Sequence, residues 1–127
     1  MAEMIKQRPK FLNLAEIKLP VPGFASILHR VSGAGMFLLL PFLIWLLDIS
    51  LQSGESYQRF VEVTGNPLVK IILTGLLWAF LHHFCMGVRL LLIDIHVGVD
   101  KAQARTSAKV VFVVSILLTL ILGVKLW

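Results

Sequence analysis

Two adjacent histidines, His82 and His83, lie inside an otherwise apolar run over residues 74–88. Ionisable groups in a membrane segment are costly and usually face a partner or a cofactor. Neighbouring helical positions point about 100° apart, so one metal can readily take only one of the pair. His83 is the candidate: Gly87 lies one turn further along its face, and Gly75 lies near that face two turns back. Glycines above and below a histidine leave a smooth wall for a flat macrocycle, and imidazole is an ordinary axial ligand of haem iron. The competing reading is a histidine hydrogen-bonded between helices. The run itself leaves both open.

A second polar constellation precedes it. Ser26, His29 and Arg30 are spaced three and four apart, so they share one helical face, which Gly33 continues. A hydroxyl, an imidazole and a guanidinium at the edge of an apolar segment suit a polar head group whose tail stays in lipid. A quinone fits that description. Arginines at such a rim can also pair with carboxylates such as haem propionates. The alternative for Arg30 and Arg89 is snorkelling to lipid head groups. That alternative is favoured for Arg89, and disfavoured for Arg30, which shares its face with Ser26 and His29.

The elements that position these residues follow from composition and punctuation. The 127 residues are 57% hydrophobic and 15% charged, against roughly 45–50% and 25% in soluble domains. Mean hydropathy is +0.87, which makes the chain an all-α integral membrane protein of one domain. The net charge of +5 does not point to nucleic acid, because the basic residues are not gathered in one soluble module. The single cysteine, Cys85, excludes an internal disulfide and reads as a small core residue. No repeat or low-complexity tract is present.

Residues 1–23 form a polar, basic leader. The run after it is too long for a signal-peptide core, and Glu3 and Glu16 count against a transit peptide. Pro20, Pro22 and Gly23 are expected to break any early helix. Transmembrane helices are expected over 24–48, 68–93 and 107–127, the first kinked at Pro41. Residues 48–67 read as a loop, with Gly54, Gly65, Asn66 and Pro67 as turn formers. Lys125 and Trp127 read as an interfacial anchor.

Lysine and arginine are concentrated in the leader and in the second connection, which carries Lys101, Arg105 and Lys109. The positive-inside rule therefore puts the N-terminus and that connection in the cytoplasm and the C-terminus in the periplasm. His83 then lies two to three turns below the cytoplasmic face, in the same half of the bilayer as Ser26, His29 and Arg30, since a turn rises about 5.4 Å. Asp94 is the candidate for delivering protons there.

The order of these motifs resembles a known family. Ser26-Ile27-Leu28-His29-Arg30-Val31-Ser32-Gly33 resembles the S-I-x-H-R-x-[ST]-G signature of the cytochrome b anchor of bacterial succinate dehydrogenase, respiratory complex II. His83-Phe84-Cys85-Met86-Gly87-Val88-Arg89 resembles its H-x3-G-[IV]-R segment, and Arg8-Pro9 its N-terminal element. Two positions depart from the pattern. Leu90 stands where many members have histidine, and Lys10-Phe11-Leu12-Asn13-Leu14 replaces a Ser-Pro-His element.

The resemblance implies a multi-pass protein of the bacterial inner membrane in a complex of four subunits. A flavoprotein would oxidise succinate, an iron–sulfur protein would pass on the electrons, and two anchors would hold haem b and the ubiquinone site within a shared bundle. His83 maps to this anchor's axial ligand, the second coming from the partner anchor. Ser26 and Arg30 map to the quinone site. His29, Arg30 and Gly87 map to the haem surroundings. The related anchor of a quinol:fumarate reductase is the alternative. A small transporter or channel subunit is a different class, and the inverted repeats and broken helices common there are missing.

Overall fold

The computed structural model describes Asn13 and residues 15–127; the Arg8-Pro9 element and most of the leader lie outside them. Four helices follow in order: α1 Val21–Leu51, α2 Gly54–Gly65, α3 Pro67–Asp94 and α4 Lys101–Leu126. α1, α3 and α4 are each long and apolar enough to cross a membrane. They pack as an antiparallel trio, with large apolar side chains such as Phe37, Leu38, Ile71 and Val124 facing outward. That inversion is expected where lipid, not water, is the solvent.

The helix ends differ from the sequence reading in ways local chemistry explains. α1 starts at Val21, and Pro22 and Gly23 lie inside its first turn. Proline suits that position because its missing N–H would be unpaired there anyway. The helix runs on through Pro41. α4 starts at Lys101, since Lys101, Ala102, Gln103 and Ala104 are good helix formers and only the apolar run begins later.

Residues 48–67 are not simply a loop, because α2 occupies most of them. Its signal is a capping box: Ser53 accepts from the Ser56 N–H, while Ser56 Oγ accepts from the Ser53 N–H. Tyr57, Phe60, Val61 and Thr64 then form one apolar stripe at helical spacing. α3 ends in a Schellman motif, with Val97 N–H donating to Leu92 O and His96 N–H to Ile93 O, both at 2.9 Å. His96 takes the left-handed position at φ 62°, where glycine is usual.

Small residues set how closely the trio approaches. Ala25 of α1, Met86 of α3, and Ala108 and Val111 of α4 form the central cluster. Ser115 and Thr119 continue the buried face of α4, and both hydroxyls return to their own helix, donating to Phe112 O and Ser115 O. Small and hydroxyl side chains at a helix seam permit close van der Waals packing in lipid.

Candidate functional site

The two histidines have separate fates. His82 is fully buried, between Trp78 of its own helix and Phe112 of α4, and its Nε2 is 3.4 Å from Ala25 O. It belongs to the interior of the trio. His83 is half-buried at the crossing of α3 with α1. There Gly33 allows the approach: a Cβ at position 33 would stand 2.9 Å from His83 Cε1.

His83 Nδ1 lies 2.9 Å from His29 O and 3.2 Å from Ser32 Oγ. Ser32 donates its own proton to the same carbonyl at 2.9 Å. A carbonyl can only accept, so Nδ1 carries the proton. In a neutral imidazole that leaves Nε2 with its lone pair. Nε2 has no hydrogen bond among the described residues and is not among the sealed, unpartnered nitrogens. The His29 ring stacks on His83 with centroids 4.0 Å apart and planes 17° apart. A metal approaches a ring nitrogen within the ring plane, so this stacking does not obstruct it.

The interhelical hydrogen bond and the ligand reading therefore concern different nitrogens of one ring. A carbonyl on the far nitrogen is the usual way of fixing the tautomer and orientation of a metal-binding histidine. Ser32 belongs to this arrangement but was given no role from the sequence. Its spacing, three residues after His29 and next to Gly33, was the available signal.

A Cβ at Gly87 would stand 4.0 Å from His29 Nε2, an ordinary contact, so the His29 ring borders this glycine without requiring it. Gly75 is open, with no atom within 4 Å of an added Cβ, and so is Gly35 across from it on α1. These two, with Ser32, Leu39 and Ala79, line a groove of about 340 Å³ between α1 and α3. Ala79 is one turn before His83. The rest of the groove's lining, Leu28, Val31, Ile71, Ile72, Leu76 and Trp78, is large and apolar, and His83 lies one turn beyond it; an apolar wall next to a lone-pair nitrogen suits a haem.

Ser26 is half-buried and Arg30 exposed, one turn apart on α1. Ser26, Tyr57 and Thr74 carry the helical hydroxyls that make no hydrogen bond among the described residues, and the Arg30 side chain makes none either. Both groups are free to meet a ligand. Asp94 is exposed at the end of α3, about 16 Å of helical rise from His83. Among the described residues no hydrogen bond joins it to Ser26 or Arg30.

Arg89 does not snorkel. It is only 6% exposed and braces α3 to α4, donating from Nε to Ser107 Oγ at 2.9 Å and from a terminal nitrogen to Ala104 O at 3.1 Å. Cys85 is half-buried against the central cluster.

Residues 4–122 match the family described as Succinate dehydrogenase/Fumarate reductase transmembrane subunit. The chain is 33% identical over 125 residues to the succinate dehydrogenase cytochrome b556 subunit of Coxiella burnetii, covering 98% of this chain and 100% of that protein. It is 33% identical over 122 residues to the protein of that name in Rickettsia felis, covering 96% of this chain and 95% of the relative. With the one in Paracoccus denitrificans it shares 28% over 114 residues, 90% of this chain and 88% of the relative.

Proposed function

Because the chain belongs to the succinate dehydrogenase/fumarate reductase transmembrane subunit family, we propose that it binds haem b through His83 Nε2 and forms part of a ubiquinone-reduction site with Ser26 and Arg30. It is a cytochrome b membrane anchor of succinate dehydrogenase, a multi-pass protein of the bacterial inner membrane. The partners of the proposed assembly are a second anchor, which would hold the haem together with His83, an iron–sulfur subunit and a flavoprotein. The chain has no succinate chemistry of its own. Its N-terminus and the α3–α4 connection face the cytoplasm, following the distribution of lysine and arginine.

One observation carries the reading: His83 gives its Nδ1 proton to His29 O, which leaves Nε2 as a lone-pair base. Bound there, haem b would supply a one-electron carrier inside the membrane. His29 and Arg30, on the same turn of α1, stand where propionate carboxylates could be met.

Reducing a quinone takes two electrons and two protons. The Ser26 hydroxyl can donate to a quinone carbonyl. Arg30 can stabilise the negative charge that develops on that oxygen. Its guanidinium keeps its protons, so it is not the acid. The protons come from the cytoplasmic side by water or through Asp94, whose exposure suits uptake. The opposite direction, quinol oxidation coupled to fumarate reduction, would use the same residues; the relatives' names favour the succinate direction.

A reduced-minus-oxidised visible spectrum of the purified assembly tests the haem assignment. Wild-type protein should show a low-spin b-type spectrum, and His83→Ala should lose or shift it while the assembled complex persists. An unaltered spectrum in that variant would refute His83 as the ligand.

A further inference from the structure

Ser32 is buried where α1 crosses α3, and its hydroxyl has two neighbours. It donates to His29 O at 2.9 Å and lies 3.2 Å from His83 Nδ1. The first contact alone is ordinary. Ser50, Ser107 and Ser115 each donate to the carbonyl three residues back, at 2.7, 3.2 and 3.1 Å. What sets Ser32 apart is its carbonyl. His29 O also accepts the His83 Nδ1 proton, at 2.9 Å. Among the described residues no other serine shares its acceptor with an imidazole. In a helix the same oxygen takes the amide four residues on, so three donors converge on two lone pairs. Donors on one oxygen compete, because each draws electron density from it and weakens the bonds the others make. A hydrogen bond from the far nitrogen raises the basicity of a ligating imidazole. A rival donor on that acceptor therefore lowers it.

We propose that Ser32 is a positioning residue that tempers the donor strength of His83 Nε2 by competing for the His29 carbonyl, and so raises the potential of the bound haem. This rests on His83 being a haem ligand. The hydroxyl has one proton, and the carbonyl at 2.9 Å is a closer partner than Nδ1 at 3.2 Å. Its action as a rival donor therefore outweighs its action as a second acceptor for Nδ1–H. Without Ser32, the Nδ1 proton is drawn further toward the carbonyl. His83 then gains imidazolate character, and the more positively charged ferric state is stabilised.

The test is the haem midpoint potential of the purified assembly, measured by spectroelectrochemistry. Removing one neutral hydrogen bond changes an equilibrium about two- to tenfold, and here the effect is relayed through a carbonyl. Ser32→Ala should shift the ferric:ferrous ratio at a fixed potential about threefold toward ferric, a fall of about 30 mV for a one-electron couple. Ser32→Thr keeps the hydroxyl, and its methyl can be taken up by the α1–α3 groove that residue 32 lines. It should return the wild-type potential. Ser115→Ala removes the same kind of bond from a fully buried site on α4 and should leave the potential unchanged. An unchanged or raised potential in Ser32→Ala, no recovery in Ser32→Thr, or an equal fall in Ser115→Ala would overturn the proposal. The two failures are distinguishable through His83→Ala. A b-type spectrum that survives there removes the ligand, and the proposal with it. Loss of that spectrum beside an unshifted Ser32→Ala potential keeps His83 as ligand and removes the role of Ser32 alone.

Discussion

Gly33→Ala should move His83, and Gly35→Ala should not, although the two glycines are neighbours on one helix. At position 33 the new methyl would stand 2.9 Å from His83 Cε1 and 3.3 Å from Nδ1. Ordinary carbon–carbon contact begins near 3.5 Å, so the ring must retreat by about 0.5 Å. It is not a loose side chain: Nδ1 is tied to His29 O at 2.9 Å and the ring is stacked on His29. Overpacking of this kind costs about 1–3 kcal/mol, and the strained hydrogen bond adds a fraction of its ~0.5–1.5 kcal/mol. Replacing helical glycine by alanine returns about 1 kcal/mol. At the middle of these ranges the net for Gly33→Ala is a loss of about 1.5 kcal/mol. An alanine at 35 meets no atom within 4 Å, so it keeps only the gain. Thermal unfolding in detergent, followed by helical circular dichroism, should therefore rank Gly35→Ala above wild type and wild type above Gly33→Ala. The haem band should shift in Gly33→Ala. Equal stability of the two variants, with an unshifted band in Gly33→Ala, would refute the close approach of α1 to His83.

Other outcomes follow from the same geometry. Ser26→Ala should lower quinone reductase activity about 100-fold, the lower end of what one such donor contributes, while succinate oxidation by an artificial acceptor survives; undiminished quinone reduction and inhibitor binding would remove Ser26 from the site. A reporter fused after Trp127 should be periplasmic and one inserted within residues 98–104 cytoplasmic, and the reverse would overturn the orientation. His82→Ala, which empties a fully buried position between Trp78 and Phe112, should destabilise the trio by about 3 kcal/mol without changing the haem band of the surviving fraction. Haem loss in a stably folded His82 variant would show that the wrong histidine has been assigned to the iron.

Composition and order alone determined the solvent, the three spans and the family motifs. A chain this apolar cannot remain in water, and helices are the only spanning structures it can build from such runs. The separation of His82 from His83 was also legible, because adjacent helical positions cannot share a face. The tertiary structure decided which side each face meets. In water, an amphipathic stripe gives the rotation of a helix away; in lipid, apolar residues surround it and packing of small residues sets the rotation. So the sequence allowed Arg89 to snorkel when it braces α4. It also left α2 hidden, since Gly54, Gly65, Asn66 and Pro67 read as turns and outweigh the Ser53–Ser56 capping box that starts the helix. Which His83 nitrogen holds the proton depended on one carbonyl 54 residues away, whose position only the crossing of α1 and α3 could set.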